Sequence, residues 1–367
     1  DMKTARKIES FFGVFRVIIA VLIAYMISLI ALTVISDEPV MAIRQFIVGP
    51  FSTIRRFGDM VALATLFTFT GLCMCFMYAV NKFNLSAEGI VIISGCMTTY
   101  LGIQLQGIPK GILLPVLLLT SILIGMAAAA IPAVLNARFD AHVVVVSLML
   151  NYILFYLSQF ILKYGMKDVS MPSLASLKYP EELKLAVLVP KTEIHAGLII
   201  AAVCVVLVVI AIYKTPFGYA MRTVGSNPNF AKYAGISVTG TVVAAQIIGG
   251  AFAGLGGAVE ILGRYERFRW LEMPNYGFDG LIVAVMAHRN PALVPVGALL
   301  LAYIRTGADI VTRTTDIPAE FVSIVQGIII LLIAAEMFLS GLKRRMIFKS
   351  ARESLENTEK QQEAVKA

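Results

Sequence analysis

Long apolar runs separated by short polar segments dominate the chain. Strong runs cover 12–36, 59–80, 112–135, 142–162, 194–213, 241–263 and 320–341; weaker ones cover 88–105, 278–288 and 291–307. A bilayer core of about 30 Å takes about 20 apolar residues as helix. Backbone groups cannot stay unpaired in lipid, so each run must be helical unless protein surrounds it. The pattern predicts an all-α polytopic membrane protein with about ten transmembrane helices. The run 278–288 is too short to span at a standard tilt; it is either a half-helix or continues upstream through Tyr276. Composition agrees, with 58% hydrophobic residues, 15% charged residues and a mean hydropathy of +0.82. A soluble domain is nearer a quarter charged. The length of 367 residues alone would suggest two soluble domains, but no water-soluble core could hide these runs.

Charge sets an expected orientation. Lys3, Arg6 and Lys7 flank the first run, and Lys343, Arg344, Arg345 and Lys349 follow the last. Ten spans put both termini on one side, which the positive-inside rule makes cytoplasmic, together with loop 214–240. Arg44, Arg55, Arg56, Arg264, Arg267 and Arg269 fall outside, against the rule. The net charge of +8 is spread over short loops between apolar runs. It therefore serves topology and lipid headgroups rather than nucleic acid. The first run is too long for a signal h-region and lacks a cleavage site, so it reads as a retained span. The opening Asp1 reads as a chain that lacks its true start. The expected organisation is one transmembrane domain, 1–348, with halves 12–162 and 190–343, and a polar cytoplasmic tail, 349–367, that is helical or disordered. The outer loop 163–193 holds Pro172, Pro180 and Pro190 and is expected to be irregular or to form a short surface helix.

Two short segments look alike. Asn84-Leu-Ser-Ala-Glu88-Gly89-Ile90 and Asn275-Tyr-Gly-Phe-Asp279-Gly280-Leu281 each carry Asn, an acid four residues on, then Gly and an aliphatic run. In the ten-span scheme the first lies at the inner end of span 2 and the second at the outer end of span 7. That relation is an inverted repeat of two five-helix halves, a transporter signature in which broken helices lie near the substrate path. A plainer reading makes Ser86 an N-cap with Glu88 in the first turn, and Asn275 and Asp279 the same. Acids at membrane depth are functional candidates by default. Both readings stay open from the residues alone.

Loop 214–240 is more structured than a linker needs to be. Pro216 and Gly218 are expected to stop the preceding span, and Gly225 to permit a turn with positive φ. A short basic helix is expected through Tyr219 and Arg222, before the turn, and Ser226 or Asn227 then caps a second short helix with Pro228 in its first turn. That helix is expected to carry Phe230, Ala231 and Ala234 on one face and to end at Gly235. An amphipathic helix lying on lipid is the alternative.

The pattern Gly225-x-Asn227-Pro228-x-x-Ala231-x-x-x-Gly235-Ile236-x-Val238 resembles the coupling loop of permeases of bacterial ABC importers. It is most like the branch carrying simple sugars, branched-chain amino acids and nucleosides. Gly249-Gly-Ala-Phe-Ala-Gly254-Leu-Gly256-Gly257-Ala258 is similar to that branch's small-residue span, and Gly277-Phe-Asp279-Gly280-Leu-Ile-Val-Ala284 also matches. Phe83-Asn84-Leu-Ser-Ala-Glu88-Gly89 resembles a stretch of the nucleoside-type members, although Ile90 stands where Gln is common. The resemblance runs from about residue 60 to 340. It implies a permease subunit paired with an identical or homologous second one. Two cytoplasmic ATPase subunits would dock on the coupling loops, and an extracytoplasmic binding protein would deliver substrate. Gly225, Asn227, Pro228, Ala231, Gly235 and Ile236 would form the docking knob. Location would be the bacterial inner or plasma membrane.

The expected function is nucleoside import, with a simple sugar as second choice, by alternating access driven from outside this chain. Asn84, Glu88, Asn275 and Asp279 are the expected pathway residues. No Gly-x-x-x-x-Gly-Lys-Ser/Thr phosphate loop occurs, so this chain carries no cofactor and ATP–Mg belongs to the partner subunits. No triad order or His-Glu-x-x-His motif supports an enzyme. Cys73, Cys75, Cys96 and Cys204 and the histidines His142, His195 and His288 are too scattered for a metal site. The competing class is a proton-coupled carrier working through Glu88 or Asp279. Gly250-x-x-x-Gly254 suits close helix packing, and Trp270 reads as an interface anchor or, in loop 264–277, as part of an outer gate or a contact to the binding protein.

Overall fold

The computed structural model describes residues 36–318 and isolated positions on either side. The first and last expected spans, 12–36 and 320–341, and the tail 349–367 lie almost wholly outside the described residues. Residues 41–315 form one compact unit, and 1–40 with 316–367 form another. In the second unit the Ser36 hydroxyl donates to the Asp316 carboxylate at 2.9 Å, and the Asp37 N–H does so at 2.8 Å.

Helix follows helix: α1 Pro39–Val48, α2 Ile54–Ala79, α3 Ala87–Gln104, α4 Lys110–Phe139, α5 Val143–Gly165, α6 Gly197–Lys214, α7 Pro216–Ser226, α8 Pro228–Tyr233, α9 Val238–Arg264, α10 Tyr276–Met286 and α11 Val294–Thr314. Among the described residues, six helical segments are long and apolar enough to cross a membrane: α2, α4, α5, α6, α9 and Pro291–Thr314. Helix α1 was not expected. It precedes Pro50, and the Phe46 carbonyl closes against Gly307 of α11.

Helices α2 and α9 form the centre and run antiparallel. Gly249 of α9 meets Met77 and the Cys73 carbonyl, whereas Gly256 meets Phe69, so advancing along one helix retreats along the other. Helix α3 runs parallel to α9: Asn84, just before it, reaches Gln246, and Val91 backs on Gly257. Helix α10 runs parallel to α2: Tyr276 stands on Phe67, Gly280 on Thr70, and Arg289 beyond its end over Tyr78. So α9 packs on α3 and α4, and α2 packs on α10 and α11. Each central helix thus packs mainly on helices from the other part of the chain.

Small residues set the closest approach. Gly250 and Gly254 of α9 lie directly on the Gly125 and Ser121 backbone of α4, where a Cβ would overlap the opposing carbonyls. That is the small-residue packing that lipid-embedded helices rely on in place of a hydrophobic drive. Helices α4, α5 and α6 bury one narrow stripe and expose residues such as Leu123, Met149, Ile153, Phe160, Val203 and Leu207. Apolar side chains on an outer face suit lipid contact.

Loop 163–193 is irregular, with a single turn at Glu181–Leu183, and two isolated β-bridges join Lys167 to Ser176 and Val187 to His195. It closes over the α9 end through Arg267–Asp168 at 3.1 Å, Lys178–Glu266 at 2.7 Å and Arg264–Glu193 at 2.8 Å. The Tyr179 hydroxyl donates to the Ile261 carbonyl at 2.8 Å and also to the Tyr265 carbonyl.

Candidate functional site

The two look-alike segments meet. The Glu88 carboxylate accepts the backbone N–H of Asn275 at 2.8 Å and of Gly277 at 2.6 Å. Gly277 lies so close that a Cβ would overlap the Glu88 backbone nitrogen. The expected placement at opposite membrane ends is therefore corrected. The cause is that both segments turn back along the helix that precedes them. Residues 80–86 climb from the end of α2, and residues 265–275 descend from the end of α9. Helices α3 and α10 start at the meeting point and run apart. The level of that point is set by Phe67 and Thr70, near the middle of α2. Helix α10 has 11 residues and so is roughly 16 Å long. It is shorter than a membrane crossing needs, and it starts upstream of 278, at Tyr276.

The plain capping reading does not describe the geometry either. Ser86 makes no cap hydrogen bond to α3; its hydroxyl donates to the Asn84 side chain at 2.6 Å. Glu88 serves the other half's helix instead of its own. Its charge stands at the N-terminus of α10, where amide donors and the helix dipole both favour an anion.

The first break is fastened to neutral groups. Asn84 is fully buried and donates to the Ala129 carbonyl at 3.2 Å and to the Gln246 side chain at 3.0 Å. On α5, the Asn151 amide accepts from Gly89 N–H at 2.9 Å and donates to the Leu85 carbonyl at 2.8 Å. Ser147, one turn away, accepts from Leu85 N–H at 2.9 Å. The second break is fastened by charge. Asp279, 2% exposed, pairs with Arg305 of α11, whose other nitrogen donates to the Pro274 carbonyl at 2.6 Å. The guanidinium lies over the rings of Phe67 and Tyr276, at 5.7 and 5.1 Å. An arginine is suited to this because its flat cation stacks while its fork hydrogen-bonds. Asn275 differs from the other three: it is exposed, in the left-handed region at φ 63°, and makes no side-chain cap.

Arg305, Gln246 and Asn151 were missed by the sequence reading. A charge or amide inside an apolar run was the available signal. Trp270 is corrected too. It is 7% exposed, stacked edge-on with Tyr265, Phe268 and Tyr276, its carbonyl held by Gln159 at 2.6 Å. It is a packing residue of the descending arm rather than an interface anchor.

The surface loop folds as two helices. Thr215 caps α7, accepting from Gly218 N–H at 3.0 Å. Asn227 caps α8, accepting from Phe230 N–H at 3.1 Å, with Pro228 in the first turn. Gly235, at φ 78°, ends α8, and Ile236 N–H returns to the Ala231 carbonyl at 2.9 Å, a left-handed C-terminal motif that glycine permits. Gly225 has no positive φ; it is helical, and its lack of a side chain lets α7 rest on the Ala79 carbonyl at the end of α2. Ala231 is fully buried, whereas Phe230 and Tyr233 are 57% and 92% exposed. Phe230 and Ala231 thus face opposite ways, contrary to the expected shared face, because Ala231 seats the short helix on the protein.

Among the described residues no cluster of His, Cys, Asp and Glu suits a metal, and the four cysteines are free and buried.

A protein-family model described as "Branched-chain amino acid transport system / permease component" matches residues 56–334. The guanosine ABC transporter permease protein NupP of Bacillus subtilis is 32% identical over 293 residues, covering 78% of this chain and 83% of that one. The glucose ABC transporter permease protein TsgB13 of Haloferax volcanii is 29% identical, covering 88% and 87%. The nucleoside ABC transporter permease protein NupB of Lactococcus lactis is 25% identical, covering 88% and 91%. Each of these relatives is a transport component rather than an enzyme, and ABC permeases as a class work with ATPase partners and a binding protein. With this match over most of its length, the chain belongs to the branched-chain amino acid transport system permease family, as an ABC transporter permease.

Proposed function

We propose that this chain is the membrane half of an ATP-driven importer of nucleosides. The observation that carries the substrate choice is the likeness to the guanosine permease over more than three quarters of the chain. The glucose relative keeps a sugar as the second reading. Both solutes are neutral and hydroxylated, which suits a path whose depth is marked by amides rather than by an unpaired charge. Nothing favours the proton-coupled carrier: Glu88 is engaged by two backbone amides and Asp279 by Arg305.

In this reading the chain crosses the membrane ten times, with both termini and the α7–α8 knob in the cytoplasm of a bacterial cell. Among the described residues, six crossings are the continuous segments α2, α4, α5, α6, α9 and Pro291–Thr314. Two more are the ascending arm with α3 and the descending arm with α10. A second permease subunit, identical or homologous, completes the path. Each ATPase subunit, holding ATP–Mg, receives one knob, formed by Gly225, Asn227, Pro228, Ala231, Gly235 and Ile236. Closure of the ATPase pair moves the knob, which bears on the end of α2 through Gly225 and Ala79. Because α2 also carries α10, the motion reaches the mid-depth breaks. Asn84, Glu88 and Asp279 hold those breaks in shape and Asn275 faces the path. Uptake of labelled guanosine against labelled glucose, by the complete complex in proteoliposomes, tests the substrate choice.

A further inference from the structure

Of the four residues at the breaks, only Asn275 is exposed, and its carboxamide has no hydrogen-bond partner among the described residues. Its backbone is held on both sides. Its own N–H goes into Glu88 at 2.8 Å, and the carbonyl before it is held by Arg305 at 2.6 Å. A non-glycine residue in the left-handed region persists where its surroundings over-determine it, and such residues cluster at functional sites. The adjoining Tyr276 is buried against Phe67, level with the middle of the membrane-length helix α2. A free amide at that depth is expensive against lipid. The helix terminus beside it is already taken by Glu88, so the side chain is the group left to act.

We propose that Asn275 contacts the solute in transit, and that Glu88 and Arg305 are its positioning residues. A carboxamide presents a donor and an acceptor side by side. That pair matches adjacent acceptor and donor groups on a nucleobase edge. The contact is made to the base, and it is transient because a single side chain supplies it. This inference rests on the nucleoside reading above.

The test uses the complete importer in proteoliposomes with saturating loaded binding protein, and reads the ratio of maximal uptake rates for a purine and a pyrimidine nucleoside. Asn275→Gly keeps the backbone, since glycine accepts positive φ freely, and removes the amide. Asn275→Asp keeps the shape and the acceptor but loses the donor. One hydrogen bond corresponds to roughly a three- to tenfold change. The expected result is a shift of that size in the ratio for at least one variant, with complex assembly unchanged. Glu88→Gln should shift the ratio in the same direction and add nothing to Asn275→Gly, because it acts through that residue. The inference is overturned if both Asn275 variants keep the wild-type ratio, abolish all uptake alike, or break assembly. A wild-type complex that carries glucose and no nucleoside would instead sink the substrate reading itself.

Discussion

Glu88 accepts the backbone N–H of Gly277 at 2.6 Å, and so one half of the protein caps a helix of the other. Buried amides left unpaired cost about 1–3 kcal/mol each, and Glu88 serves two of them. Glu88→Ala should therefore lower unfolding stability by about 3 kcal/mol. Glu88→Gln, which keeps a carbonyl acceptor, should lose about half of that. Thermal melting of the detergent-solubilised protein checks the order; equal stability of Glu88→Ala and wild type would deny the cap any role in holding the fold.

Arg305 and Asp279 form a buried pair whose partners should not be separable. Removing one member of such a pair costs about 3–5 kcal/mol, whereas replacing both with apolar residues is often far milder. Arg305→Met alone should destabilise strongly, and adding Asp279→Leu should recover at least half of the loss. If the double variant is no better than the single, the arginine acts through Pro274 and the rings rather than through Asp279.

The α4–α9 contact is set by backbone approach. Gly254→Ala places a methyl group on the Ser121 carbonyl. Overpacking of this kind costs about 1–3 kcal/mol. The control is Gly111→Ala, where nothing lies within 4 Å of the added methyl, and its melting temperature should match wild type.

The knob offers two different failures. Ala231→Arg should unseat α8, because the residue is fully buried. Phe230→Asp and Tyr233→Asp change only exposed surface and should leave melting unchanged. If the knob is the ATPase contact, they should still lower transport-stimulated ATP hydrolysis at least tenfold, about 1.4 kcal/mol of lost coupling. Undiminished stimulation in both would leave the knob as a lipid-surface feature.

The outer clasp should open in acid. Ser170 and Arg267 hold the Asp168 carboxyl below its ordinary value, and Lys178 with Lys184 do the same for Glu266. Depressed carboxylates contribute stability that is complete above their unfolded pKa values, about 3.9 and 4.3. It is lost as pH falls through the lower folded values. Hydrogen-exchange protection in 163–193, taken relative to the intrinsic rate at each pH, should be constant from about pH 7 to 5 and fall below about pH 4. A fall that begins at neutral pH would assign the opening to other groups.

Hydropathy made the helices legible, because lipid forces apolar runs into helix whatever their neighbours. Thus 112–135 falls inside α4, and 142–162 falls inside α5 apart from its N-cap residue His142. The short run at 278–288 left a half-helix and an upstream continuation open, and the helix observed there is Tyr276–Met286. Depth was not legible. A Gly-interrupted segment looks the same at a membrane edge and at its middle, so Glu88 and Gly277 were placed apart when they touch. The glycine at 225 carried two meanings, turn and close approach, and only the position of Ala79 separates them. Alternation over a six-residue helix was too short to tell the face of Phe230 from that of Ala231.

The central claim is import powered by ATP through a partner. Nucleoside uptake into proteoliposomes holding ATP inside, with binding protein outside and the proton gradient collapsed by an uncoupler, tests it most directly. Uptake at the full rate, and none without ATP, is the predicted result. Uptake that dies with the gradient, or proceeds without ATP, would contradict it.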